Sequence, residues 1–177
     1  MEERTYEQVA LIGAGVIGSG WATRCLAKGL SVVLTDPSAD ARSQVQNTIE
    51  GAWPVLEDSG LVSQGDPTNF RFVETIREAV EGADFIQENV PEREDLKIEV
   101  HETIDRYAAE DVVIASSSSG LLPSRLQDQC QYPDRILIGH PFAPVYLLPL
   151  VEIVGGEKTS PEAVSYTHLT LPTILLV

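Results

Sequence analysis

The segment from Val9 to Asp36, VALIGAGVIGSGWATRCLAKGLSVVLTD, constrains this chain more than any other. A short apolar run from Val9 to Ile12 enters a glycine-rich turn. A helix-forming stretch follows to about Lys28, and a β-branched run from Ser31 to Thr35 ends on Asp36. Strand, turn, helix and strand in that order and length make a β-α-β unit. The turn itself, Gly13-Ala14-Gly15-Val16-Ile17-Gly18, reads GxGxxG. Such a pattern is weak alone and strong when it joins a strand to a helix with an acid about twenty residues on. Gly13 permits the tight turn, Gly15 lets backbone N–H groups approach a pyrophosphate, and Gly18 lets the helix lie close to the strand. The helix N-terminus offers unpaired N–H groups and a positive dipole end to phosphate. Asp36 would accept hydrogen bonds from ribose hydroxyls and repel a 2′-phosphate, and Pro37-Ser38 supplies no arginine to receive one. The unit therefore points to NAD rather than NADP.

Further apolar runs follow at Phe70 to Val73, Ala83 to Gln87, Asp111 to Ser116, Arg135 to Gly139 and Pro149 to Val154. Polar, helix-forming segments separate most of them: Ala39 to Leu56, Glu74 to Glu81, Glu92 to Ala109 and Pro123 to Gln127. This alternation implies an α/β fold, a Rossmann-like doubly wound parallel sheet with helices on both faces. The link from Gly139 to Pro149 is too short for a crossover helix, so the final strand is expected to run antiparallel or to leave the sheet.

Composition narrows the partners. The net charge is -15 and the pI is near 4.4, with lysine only at Lys28, Lys97 and Lys158. No basic footprint for nucleic acid can be assembled from this. No apolar run reaches bilayer-spanning length and MEERTYEQ does not resemble a signal peptide, so neither a membrane nor secretion is expected. Cys25 and Cys130 form no ligand pattern, no metal site is expected, and reduced thiols in a cytoplasm are the natural reading.

One stretch carries chemistry. In GHPFAPVYLLPLVEIVGG, His140 follows a strand end and Glu152 is the single acid in an apolar strand. A histidine at the carboxyl end of a strand faces the crevice where doubly wound sheets bind ligands. An acid in such a strand is costly unless paired, and Glu152 is suited to accept the second ring N–H of His140. Ser119, in the run Ser116 to Ser119, is placed at the end of the preceding strand. It serves either a substrate oxygen or its own turn. His101 is expected to be solvated on a charged helix, and His168 lies near the chain's end.

With IQENVPER, SSSSGLLPSRL and PVYLLPLVE added to the glycine turn, the chain resembles the 3-hydroxyacyl-CoA dehydrogenase family from about Val9 to Thr159. It is most similar to the branch that holds L-carnitine dehydrogenase and lambda-crystallin (L-gulonate 3-dehydrogenase). The resemblance implies NAD-dependent oxidation of an L-3-hydroxy acid to the 3-oxo acid. It places the catalytic histidine on His140, its carboxylate partner on Glu152 and the active-site serine on Ser119. Contacts to the cofactor near the nicotinamide fall on Glu92 and Lys97, with Ser119 beside them. The family's HxxNP is broken here, where Ala143 replaces the asparagine. The resemblance also implies a homodimer and a C-terminal helical domain beyond this chain's end.

Three functional readings follow. Between Ser38 and Thr68 the only base is Arg42, against Asp40, Glu50, Glu57, Asp58 and Asp66, so a CoA phosphate would be repelled and a small cationic hydroxy acid such as carnitine is favoured. The alternatives are a 3-hydroxyacyl-CoA dehydrogenase of fatty-acid metabolism, and an NAD-binding module without appreciable turnover. Residues 1–159 are expected to form the NAD-binding domain. Residues 160–177 begin a helix at Ser160-Pro161-Glu162 and then depart from its pattern, as a truncated start with a non-native tail would.

Overall fold

The computed structural model describes residues 6–165 and 167. They form one sheet from β1 (Gln8–Ile12), β2 (Ser31–Thr35), β3 (Phe70–Phe72), β4 (Phe85–Glu88), β5 (Val113–Ser116), β6 (Ile136–Pro141) and β7 (Val151–Gly155). The order is β3-β2-β1-β4-β5-β6-β7, parallel from β3 to β6, with β7 antiparallel at the edge. The doubly wound sheet and its antiparallel last strand are therefore as the sequence implies. The helices are α1 (Val16–Ala27), α2 (Ala41–Asp58), α3 (Ile76–Val80), α4 (Glu94–Tyr107) and α5 (Pro123–Leu126).

Alternation along each strand feeds two cores. Val9, Leu11, Val32, Leu34, Phe85, Val113, Ala115 and Leu137 pack with Trp21, Cys25 and Leu26 of α1 and Val45 and Ile49 of α2. Ala10, Ile12, Val33, Ile86, Ile114 and Ile136 face Ala79 and Val80 of α3 and Val100 and Ile104 of α4. A period of two in the strands thus meets helical stripes on both sides. No helix among the described residues is long and apolar enough to cross a membrane.

Helix α4 corrects one expectation. Its buried stripe is Lys97, Val100, His101, Ile104 and Asp105, so His101 is not solvated but fully buried. Spacings of three and four place these residues on one face whatever their charge, and that face is pressed against the sheet. Each buried charge on it has a partner. Asp105 receives Nε and Nη2 of Arg135 and the backbone N–H groups of Gln131 and Tyr132, tying α4 to the segment that enters β6. The helix start at Ser160 is present: its Oγ accepts from Ala163 N at 3.0 Å, and residues 161–165 are helical. Apart from Ser165 and Thr167, the tail and His168 lie outside the described residues.

Removing one partner from a buried ion pair leaves the other uncompensated, so Asp105→Ala should cost about 3–5 kcal/mol in urea unfolding. A loss below about 1 kcal/mol would show that Arg135 is not held by this carboxylate.

Candidate active site

Strand order reverses between β1 and β4, and a crevice opens above their carboxyl ends. Four chain segments at strand ends line it, Gly15 to Ile17 after β1, Asn89 to Glu92 after β4, Ser117 and Ser119 after β5, and His140 at the end of β6, together with Lys97 of α4. The cleft measures about 370 Å³.

The glycine turn divides its work as the sequence implies. A Cβ on Gly18 would lie 2.0 Å from the carbonyl oxygen of Gly13, and one on Gly13 would lie 2.8 Å from the Asn89 carbonyl, where φ is already +96°. These two glycines close the backbone. A Cβ on Gly15 would meet nothing within 4 Å, so the space above it is open. Gly15 caps α1 without a side-chain bond, and the first turn of α1 carries no acid. The N–H groups of Val16 and Ile17, in the first turn, therefore form an electropositive end suited to a pyrophosphate. Asp36 is held in place by Ala14 N at 2.7 Å and Ser38 N at 2.8 Å, one on each oxygen. Each oxygen keeps a lone pair for a ribose hydroxyl. The residues fit a dinucleotide.

His140 and Glu152 stand directly opposite each other in the antiparallel β6–β7 ladder. Side chains opposite in such a pair share a face, and His140 Nδ1 lies 2.9 Å from Glu152 Oε2. Register, not burial, makes the pairing: the Glu152 side chain is 60% exposed, so the expectation of an acid costly to bury does not hold. Among the described residues, His140 Nε2 forms no hydrogen bond and is left for a ligand. On its far side a second cleft of about 220 Å³ runs between Ser118 to Pro123 and the strand residues Ile138 and Val154. His140 and Ser119 line both clefts, so they stand where the two meet.

Ser119 lies three residues past the end of β5, not at the strand end itself. Its loop is held by Glu92, whose Oε1 accepts from Ser118 Oγ at 2.6 Å and from Ser119 N and Gly120 N at 3.0 Å each. The Ser119 hydroxyl has no partner among the described residues. Lys97 is 1% exposed and points its ammonium at Glu88, 2.7 Å away, and at Glu92, 3.6 Å away. Ala143 lines a separate groove of about 460 Å³ with Val16, Gln44, Thr48 and Tyr146, and its methyl offers no hydrogen bond there.

Reasoning from sequence missed Glu88. Its carboxylate is fully buried at the end of β4 and collects Val90 N, Lys97 Nζ and Ser116 Oγ, with His101 Nε2 at 3.2 Å. The signal was available, since Gln87-Glu88-Asn89 sets three polar residues at the end of a buried strand. The neighbours are knitted together likewise: Gln87 Nε2 donates to Ser117 Oγ and to Gly139 O, and Ser117 Oγ donates to Asn89 Oδ1.

Comparison with known proteins agrees with this geometry. Residues 8–173 match the model for the 3-hydroxyacyl-CoA dehydrogenase NAD binding domain. The chain belongs to the 3-hydroxyacyl-CoA dehydrogenase family. It is 54% identical over 155 residues to an L-carnitine dehydrogenase of Burkholderia mallei, covering 88% of this chain and 48% of that protein. An L-carnitine dehydrogenase of Bacillus cereus is 47% identical over 168 residues, 95% of this chain and 52% of the relative. The chain spans about half the length of the curated relatives it matches. Among solved structures, 5-formyl-3-hydroxy-2-methylpyridine 4-carboxylic acid 5-dehydrogenase, an NAD+-dependent dismutase, superposes with a TM-score of 0.87 at 35% identity, over 96% of this chain and 55% of that one.

As a member of this family's NAD-binding domain, the chain takes NAD, and Gly15 gives a direct check. Gly15→Ala should change stability by less than about 0.5 kcal/mol, because the methyl enters open space. It should weaken NAD binding by calorimetry about tenfold or more, if the same space receives the pyrophosphate as the glycine pattern implies. Unchanged affinity would remove the turn from the cofactor site.

Glu88 gives a pH check. Burial pushes its carboxyl up, but hydrogen bonds and charge from His101 and Lys97 outweigh this and hold it at about 2, against an ordinary 4.5. A carboxyl depressed on folding stabilises fully above its ordinary value, and the contribution is lost as pH falls from there toward about 2. The stability gap between the native chain and Glu88→Gln should be about 3 kcal/mol at neutral pH and narrow through that acid window. A gap independent of pH in urea unfolding would contradict it.

Proposed function

We propose that this domain supplies the base and the cofactor cradle for NAD-dependent oxidation of the secondary alcohol of a small 3-hydroxy acid to the 3-oxo acid. The observation that carries the reading is the His140–Glu152 pair, 2.9 Å apart, with His140 lining the cleft that begins at Gly15 and Glu152 behind it in the second cleft. Glu152 accepts the N–H at Nδ1, which leaves the Nε2 lone pair directed to solvent as the acceptor of a hydroxyl proton. As the proton arrives, the same carboxylate stabilises the imidazolium. Ser119 Oγ, without another partner, orients the substrate oxygen. Bound NAD+ supplies the hydride acceptor. Ala14, Gly15, Val16, Ile17 and Asp36 anchor its phosphates and ribose, with Glu92 and Lys97 in the wall beneath its nicotinamide end.

The substrate is small and compatible with an acidic surface. The groove beside Ala143 is lined by Gln44 and Thr48 of α2 and holds no lysine or arginine to receive a CoA phosphate. L-carnitine, the substrate named for the relatives of about 50% identity, meets both conditions. The free thiols Cys25 and Cys130 fit a reducing cytoplasm. Assembly as a homodimer and full turnover are proposed for a chain of the relatives' full length.

NADH formation should be followed with L-carnitine, L-gulonate and 3-hydroxybutyryl-CoA. The proteins are this chain and a form extended with the C-terminal half of the Burkholderia mallei relative. The expected result is NAD binding without appreciable turnover by the chain alone and a preference for L-carnitine in the extended form. His140→Ala in the extended form should lower kcat by about 10²–10⁴-fold while NAD affinity holds. Unchanged turnover would exclude His140 as the base.

A further inference from the structure

Beneath the cleft, the interface between α4 and the sheet holds a buried polar layer, one turn along from the Asp105–Arg135 pair. There Glu88, Lys97, His101 and Ser116 meet, all four with relative exposure of 1% or less. Ser116 lies opposite Glu88 in the β4–β5 ladder, and Lys97 and His101 are one turn apart on α4. The Glu88 carboxylate is the hub, but it does not line the cleft. Its influence leaves the core through Lys97, whose ammonium also reaches Glu92 Oε2 at 3.6 Å, and through Ser116, whose Oγ donates to Glu88 and accepts from Ser118 N at 3.2 Å. Glu92 in turn holds Ser118 Oγ, Ser119 N and Gly120 N on its other oxygen. Hub, lysine, surface carboxylate and serine loop form one unbroken series of polar contacts.

His101 is the odd member. Its Nε2 contacts Glu88 Oε2, while its Nδ1 is buried with no hydrogen-bond partner among the described residues. A side chain present only to fill the interface would not leave a polar atom stranded, since phenylalanine or leucine occupies similar space without that penalty. What histidine adds is a second donor, beside Ser116 Oγ, on Glu88 Oε2. The carboxylate is thereby held in the one orientation that presents its first oxygen to Lys97.

We propose that Glu88 and His101 are positioning residues for the nicotinamide end of the cofactor site: they fix Lys97, which fixes Glu92, which sets the Ser118 to Gly120 loop that carries Ser119. The proposal rests on the reading that the nicotinamide end lies over Glu92 and Ser119, and its test separates the two.

Two measurements on this chain decide it, with His101→Phe as the variant and His101→Gln as the conservative rescue. The first needs no cofactor. Amide hydrogen exchange, resolved by NMR, should quicken about tenfold or more at Ser119 and Gly120 in His101→Phe. The amides of Gln131 and Tyr132, which bond Asp105 one turn along the same helix, should hold their rates. In the second, NADH affinity is compared with that of ADP-ribose, which lacks the nicotinamide. His101→Phe should weaken NADH about tenfold while ADP-ribose changes less than about twofold, and His101→Gln should recover most of both effects. Equal acceleration at all four amides, or none, would reduce His101 to a packing residue and overturn the proposal. Parallel loss of NADH and ADP-ribose would do the same. A native chain that binds ADP-ribose as tightly as NADH would instead remove the cofactor reading on which the proposal rests, and with it the cofactor role. Should His101→Phe not fold, Glu88→Gln is read in the same two ways.

Discussion

The antiparallel pairing of β6 with β7 is the constraint on which the site depends. A parallel successor would need a crossover, and its residues would meet β6 in a different register. The chain instead turns back within the nine residues between β6 and β7, and His140 comes to stand opposite Glu152. A one-residue slip would send Glu152 to the other face and break the pair. The resulting hydrogen-bonded pair is half-exposed, and even a charged pair so placed contributes only about 0–1 kcal/mol. Its proposed value lies elsewhere: a carboxylate at Nδ1 favours the proton on that nitrogen and leaves Nε2 bare toward the cleft.

The two glutamates on either side of the serine loop divide the labour. Glu152 is open to solvent and coupled to His140, the proposed base, where a carboxylate would respond as charge develops. Glu88 is buried, saturated with donors and held ionised, where a carboxylate must not change. Between them, Glu92 receives the constraint from the core through Lys97 and passes it to the backbone of Ser119. The cleft is thus assembled from strand ends, but its finer positions are set by polar contacts one layer below, in the way that supporting groups orient those that touch a ligand.

Much of this is legible in the sequence because local pattern and global fold agree. Gly13 to Gly18 and Asp36 announce themselves by spacing, and the alternation of apolar runs with polar helices dictates a doubly wound sheet. The proline-rich link from Gly139 to Pro149 is too short for a crossover, which gives away the antiparallel strand. What stayed hidden depends on tertiary contact. The charge along α4 concealed that Lys97, His101 and Asp105 share its inner face, and hydropathy alone assigned His101 to solvent. Glu152 was correctly paired for an incorrect reason, since strand register and not burial brings it to His140. Glu88 escaped because its partners lie nine, thirteen and twenty-eight residues away on two other elements, α4 and β5, a distribution no linear motif records.

The central claim is that Glu152 fixes His140 with its proton on Nδ1, leaving Nε2 as the base. Nitrogen NMR of the imidazole at a pH where His140 is neutral tests it most directly. The account predicts a protonated Nδ1 and a bare Nε2 in the native chain, and a mixture of the two tautomers in Glu152→Ala. A proton found on Nε2, or a tautomer indifferent to the loss of Glu152, would contradict it.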